Sequence, residues 1–151
     1  WADVVHSLDS ASHISKLANA ASKSLDIFLQ LSLDGDPARG GVVESELPAL
    51  ADIALASANL HLAGLMCVPP VAADPRTAFT EIAAIHRRFI SNYPEAKAFS
   101  EIAQKAAVFA REFPESAAIS AGMSGDFETA IKYGATHIRV GSSILGSRTV
   151  R

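Results

Sequence analysis

Apolar residues in this chain fall into short, nearly unbroken runs, separated by stretches in which they recur every three or four positions. The runs are "VVHSLD" (4–9), "LDIFLQLSL" (25–33), "LHLAGLMCV" (60–68), "SAAISAG" (116–122) and "THIRVG" (136–141). Four to nine residues, many of them branched, bounded by polar or turn-forming residues, predict strands buried on both faces. Between them the spacing turns helical. Ser10 or Ser12 is placed to cap a helix running to about Ser22, with Ile14, Leu17, Ala18 and Ala21 on one side. A second helix spans 44–58 with Pro48 in its first turn. Asp74 caps a third that has Pro75 at its first position, and a fourth, 126–134, ends at Gly134. "DGDPARGG" (34–41) reads as a turn-rich loop.

Strands alternating with helices define an α/β chain built from βαβ units around a parallel sheet. Five strands fit an open doubly wound sheet or part of a (β/α)8 barrel, which needs about 250 residues. A chain of 151 residues is a little over half of one, organised as one domain. One feature lies outside this scheme. "AFTEIAAIHRRFISNYPEAKA" (78–98) and "AFSEIAQKAAVFAREFPESAA" (98–118) align at a constant offset, matching Phe79 with Phe99, Ile82 with Ile102 and Phe89 with Phe109. Two copies are too few for a solenoid. The expectation is a duplicated helix, the extra one at about 95–113, inserted before the fourth strand.

Composition narrows the functional classes. About half the residues are apolar, the formal net charge is −3, and no basic stripe with interleaved aromatics is present, which argues against a nucleic-acid partner. Cys67 is the single cysteine, so neither a disulfide framework nor a cysteine-rich zinc site can form within the chain, and a cytoplasmic location is expected. No apolar run approaches the roughly 20 residues needed to span a bilayer. The chain opens on Trp1 almost directly into a strand, which leads us to expect further residues upstream.

Several catalytic or metal signatures fail on inspection. "GMSGD" (122–126) lacks the second glycine of a nucleophile elbow. "DGDPARGGVVES" (34–45) has Arg39 and Ser45 where a calcium loop needs its glycine and its bidentate glutamate. The five histidines show no zinc-helix spacing, and His86-Arg87-Arg88 reads as a solvated helix face. Two places remain for an anion. The helix opened by Ser124 carries Asp126 and Glu128 in its first turn, which already answer the helix dipole. "GSSILG" (141–146) has no carboxylate nearby, a glycine permitting close approach and two hydroxyls, which is the chemistry of a phosphate cup. Residues 120–124 and 139–142 close the last two strands, and parallel βα folds collect ligands at strand carboxyl ends. Arg139 sits there between Ile138 and Val140, a permanent charge in an apolar strand that requires a partner, either a ligand or a neighbouring carboxylate.

The stretch "ISAGMSGDFETAIKYGATHIRVGSSILGSR" (119–148), with "VVHSLDS" (4–10), "FLQLSLDGDPARGGV" (28–42) and "LAGLMCVPPVAADPRTAF" (62–79), resembles the pyridoxal-phosphate homeostasis proteins, whose fold is that of the alanine racemase amino-terminal domain. The likeness covers nearly the whole chain except the second helical copy. It implies the carboxyl-terminal part of a (β/α)8 barrel that binds pyridoxal phosphate and delivers it to other proteins, including apo-enzymes, without turnover. It also implies cofactor-binding residues. Ser120, Ser124, Gly141 and Ser142 would lie around the phosphate, with Gly122 and Met123 beside them, and Arg139 would face the pyridine nitrogen. An arginine there can only donate, keeping the ring unprotonated and a poorer electron sink.

Two departures stand out. The family's Schiff-base lysine belongs to a strand that would precede Trp1, and Lys16, Lys23, Lys97, Lys105 and Lys132 all lie on or beside predicted helices, so binding in this chain is expected to be non-covalent at most. Ser32 stands where the family usually has asparagine. The rival readings are a racemase-like enzyme using the same cofactor and a non-catalytic half-barrel. A racemase needs acid and base groups on both faces of a Cα, and Tyr93 and Tyr133 lie only at helix ends. A half-barrel leaves open strand edges, which would favour self-association.

Overall fold

In a computed structural model, which describes residues 2–99 and 118–141, the five apolar runs become five parallel strands. They are β1 (Val4–Leu8), β2 (Leu25–Leu31), β3 (Leu60–Cys67), β4 (Ala118–Met123) and β5 (His137–Arg139). Their order in the sheet is the order in the chain, β1-β2-β3-β4-β5. A doubly wound sheet reverses direction partway along. A sheet in simple sequential order has every crossover turning the same way, so its helices collect on one face and the sheet curls away from them, with its concave face inside. The architecture is therefore a half-barrel, as the family resemblance implied.

Among the described residues four α-helices lie between these strands: α1 (Ala11–Ala20), α2 (Leu47–Leu55), α3 (Pro75–Asn92) and α4 (Phe127–Lys132). Their ends follow the local chemistry. The Ser10 hydroxyl accepts the His13 amide, and the Asp74 carboxylate accepts the Thr77 amide at 2.9 Å with Pro75 opening the helix. Helix α4 stops in a Schellman motif. Gly134 takes φ of 94°, its amide donates to the Ile131 carbonyl, and the Ala135 amide donates to that of Ala130. Residues 44–46 form a 3₁₀ turn ahead of α2, so the predicted 44–58 helix is shorter than its apolar pattern. Pro94–Phe99 form another, and the remainder of the expected extra helix lies outside the described residues.

The strands divide their side chains between two cores. Ile27, Leu29 and Leu31 of β2 point outward with Leu62, Leu65, Ile119 and Ala121, and meet Ile14, Leu47, Phe79, Ile82 and Phe89 from the helices. Each such large aliphatic contributes about 1.5–3 kcal/mol by leaving water. Phe28, Ala63 and Met66 form a separate inner cluster on the concave face. One expectation is corrected here. His86 is not part of a solvated face; it is 1% exposed, while Arg87 and Arg88 next to it are exposed. Position 86 is four residues from both Ile82 and Ile90 and three from Phe89, so it belongs to the stripe those residues bury.

Candidate functional site

Period-two alternation puts His137 and Arg139 of β5 on one face, the concave one, and β1 and β2 send His6 and Phe28 to the same place. His6 stacks on Phe28 with ring centroids 4.4 Å apart and planes 18° from parallel. His137 meets both rings edge-on, at 5.7 Å from His6 and 5.3 Å from Phe28. From β4, the Ser120 hydroxyl lies 2.8 Å from His6 Nδ1, closing a contact across the half-barrel. The neighbouring His137 ring is held through Nδ1 by Thr136 Oγ1 at 3.0 Å.

Arg139 lies half-buried beside this cluster. Its Nη2 donates to the Cys67 carbonyl at the carboxyl end of β3, 3.2 Å away, and its Nε is buried with no hydrogen-bond partner. Among the described residues Arg139 forms no ion pair, so the reading of it as a structural ion pair is not met there. Arg39, from the loop after β2, is a useful contrast. It reaches the Val68 carbonyl at 3.5 Å but is paired with Asp34 and Asp36. Of these two guanidiniums near the end of β3, Arg139 is therefore the one with charge to offer a ligand. Burial lowers its pKa from the usual arginine value, yet a guanidinium keeps its proton at ordinary pH.

Electrostatics follow from that fixed charge. The His6 pKa is lowered, first by burial and then by His137 and the Arg139 cation, and burial alone lowers that of His137. Both rings are thus held neutral beside a permanent cation. The Cys67 thiol, wholly buried, is pushed up to about 12 by loss of solvent, which leaves it protonated and inert.

The remaining residues singled out from sequence divide by duty. The Gly141 amide donates to the Ser124 hydroxyl at 3.2 Å, joining the two strand ends expected to form the anion cup. Ser142 lies outside the described residues. Ser120 is fully buried and committed to His6. Gly122 has φ of 98°, and a Cβ built there would fall 2.7 Å from that of Ala130 and 3.0 Å from Phe127 Cα, so its absent side chain is what lets α4 close on β4. The Met123 amide donates to Asp126 Oδ1 at 2.6 Å while its side chain is exposed. Asp126 stands at the N-cap of α4, but its carboxylate makes this bond to the strand and none to the helix's own first amides. Ser32 closes a turn, its hydroxyl accepting the Gly35 amide at 3.0 Å.

His6, Phe28 and His137 were not anticipated as site residues. His6 sits in an apolar strand as Arg139 does, and His137 precedes Arg139 by two; strand parity alone marks both. A cleft of about 460 Å³ lined by Asp26, Ser57, His61 and Glu95 lies at the amino ends of β2 and β3, the end that parallel βα folds use for stability, and holds none of these groups. Among the described residues no cluster of three potential metal ligands occurs, and no helix is long and apolar enough to cross a membrane.

Fold and site together define a (β/α)8-type half-barrel with two imidazoles on its concave face and an arginine beside them at the strand carboxyl ends. A family model described as the alanine racemase N-terminal domain matches residues 2–149, and the chain belongs to that family. It is 39% identical over 158 residues to the pyridoxal phosphate homeostasis protein of Corynebacterium glutamicum, covering 98% of this chain and 62% of that one. It is 35% identical over 164 residues to the protein of the same name from Mycobacterium tuberculosis, covering 100% of this chain and 55% of that one. The chain thus spans less than two thirds of the length of these relatives. Among solved structures, PipY of Synechococcus elongatus with PLP bound superposes with a TM-score of 0.68 at 24% identity, over 95% of this chain and 61% of that one. Alanine racemase from Corynebacterium glutamicum shares the fold with a TM-score of 0.56 at 16% identity, over 95% of this chain and 36% of that one.

Proposed function

We propose that this chain binds pyridoxal phosphate at the carboxyl ends of β3, β4 and β5 and takes part in holding and delivering that cofactor within the cytoplasm, without turnover of its own. The observation that carries the reading is Arg139: a half-buried guanidinium without a carboxylate partner among the described residues, anchored by one nitrogen on the Cys67 carbonyl, with Nε unsatisfied. A buried donor left unpaired is costly, on the order of 1–3 kcal/mol, and a ring nitrogen or anionic oxygen at the mouth would relieve it. The cup fits in the same way, since the Gly141 amide and the Ser124 hydroxyl meet at 3.2 Å where β4 and β5 end, and a phosphate oxygen seated there could accept from the amide.

When bound, pyridoxal phosphate supplies an electrophilic aldehyde and an electron-withdrawing pyridine ring. The chain's own contribution is to bind and orient. Arg139 would donate to the ring nitrogen, Gly141 and Ser124 would hold the phosphate, and Phe28 and His6 would form the wall beside them. Restricted chemistry suits this arrangement, because a guanidinium donor never surrenders a proton to the ring. The described lysines point the same way: Lys16 and Lys132 lie on helices and Lys23 pairs with Asp3 at 2.5 Å. Tyr93 donates to the Pro48 carbonyl, away from the mouth. A racemase's two opposed acid and base groups are thus not offered by these side chains. Recipients of the cofactor would be apo-enzymes that use it, and the outer edges of β1 and β5 are the surfaces through which copies would associate.

Equilibrium dialysis with pyridoxal phosphate tests the reading. Loss of a charge-assisted hydrogen bond of about 1.5–3 kcal/mol in Arg139→Leu corresponds to roughly 10- to 100-fold weaker binding. An unchanged Kd removes Arg139, and with it this assignment.

A further inference from the structure

Ser120 is the residue whose placement the cofactor reading does not absorb. Its hydroxyl is fully buried and lies 2.8 Å from His6 Nδ1, which places it to orient that imidazole. That imidazole is unusual in its company. The groups facing it are Phe28 from β2, Ser120 from β4, and His137 and Arg139 from β5, with no carboxylate among those described. Its Nδ1 is committed to Ser120, and Nε2 has no hydrogen-bond partner among the described residues. The ring is only half-buried, so it can exchange protons with solvent.

We infer that binding of a doubly charged ring phosphate at this mouth is coupled to uptake of a proton by His6, with Ser120 as the residue that positions it. The inference rests on the cofactor-binding reading above. Without an anion, a proton on His6 would add a second positive charge beside Arg139 in a partly desolvated pocket, and the ring stays neutral; the same forces lower its pKa. With a dianion seated between Gly141 and Arg139, the balance of charge reverses. His6 becomes the cation that offsets the second negative charge, its Nδ1–H donating to Ser120 Oγ and its Nε2–H available to the ligand or solvent. The proton comes from water and no bond other than N–H is made. By linkage, whatever favours the protonated ring when ligand is bound favours the ligand equally when the ring is protonated. Between the His6 midpoints of the bound and the free states the site then holds its cofactor more tightly as pH falls, and His6 sets that dependence.

The test uses the whole chain and pyridoxine 5′-phosphate, which has the ring and phosphate of the cofactor but no aldehyde to react with lysines. Histidine Cε1–H resonances are followed from pH 5 to 8.5 with and without saturating probe. His6→Gln assigns the signal, with His6→Asn as the second variant should the first fail to fold, and exposed His13 and His61 serve as internal references. The expected result is a His6 midpoint that starts below 6.5 and rises by half a pH unit or more on binding, equivalent to about threefold or greater coupling. In Ser120→Ala, read at probe concentrations that saturate that variant, most of the rise should be lost. Probe that binds the wild type without moving the His6 midpoint overturns the coupling and leaves the cofactor reading intact. A rise that persists unchanged in Ser120→Ala overturns the positioning role. Failure of the probe to bind at all sinks the cofactor reading first and this inference with it.

Discussion

Replacing Gly122 with alanine should be among the most damaging single-methyl additions in this protein, and the reason separates into two measurable parts. The first is conformational. At φ of 98° an L-residue is strained by about 1–2 kcal/mol. The second is steric. The new Cβ would lie 2.7 Å from the Ala130 Cβ and 3.0 Å from Phe127 Cα, a backbone atom that cannot step aside without moving α4, and overpacking of this kind costs about 1–3 kcal/mol. Together they predict a loss of about 2–5 kcal/mol. Two other glycines isolate the parts. Gly134 shares the strained region, at φ of 94°, but a Cβ there meets nothing within 4 Å, so Gly134→Ala should cost only the conformational part, about 1–2 kcal/mol. Gly125 has neither a positive φ nor a near neighbour, and Gly125→Ala should be neutral or stabilise by about 0.5 kcal/mol through the unfolded chain. Urea unfolding followed by far-ultraviolet circular dichroism, with the four proteins compared at a common m-value, orders them. If Gly122→Ala falls within about 0.5 kcal/mol of Gly134→Ala, the close approach of α4 to β4 is wrong.

Three further outcomes follow. Stability should fall as pH drops below about 6.5, because the unfolded chain protonates His6 and His137 at their ordinary value while the folded protein resists until lower pH; above that value these two groups contribute no pH dependence, and a stability profile flat from pH 7.5 to 5 would contradict it. The Cys67 thiol, pushed up to about 12 and wholly buried, should react with an aromatic disulfide reagent only at the rate of unfolding, so rapid labelling of the native protein would contradict its placement. Asp74→Ala should cost about 1 kcal/mol in thermal or urea unfolding, since it removes both the acceptor of the Thr77 amide and that of the Thr77 hydroxyl; a loss below about 0.3 kcal/mol would deny the cap.

Much of the fold was legible because its signals are local. Asp74 with Pro75, Ser10 with His13, and Gly134 after a helical run each declare an element end through their own hydrogen-bond chemistry, and all three act there as expected. The choice between barrel and doubly wound sheet was legible only through the family resemblance, not from the pattern of strands and helices. Strand order depends on which way each crossover turns, and that is settled by packing between elements far apart in the chain. The position of Arg139 was legible as an anomaly, a charge in an apolar strand. Its companions were harder to find: His6 lies 133 residues away on another strand, and His137, two residues before Arg139, is marked only by strand parity. His86 was misread for a related reason. Two flanking arginines outweighed the stripe to which it belongs by helical period.

The anchor of Arg139 has a consequence for how this site can change over generations. Its guanidinium is held by the carbonyl of position 67, a main-chain group that every amino acid supplies. Drift at that position, from cysteine to any residue the outer core accepts, leaves the grip untouched. What reads as a constraint on a side chain is a constraint on the path of β3, and that part of the binding apparatus is inherited through the fold.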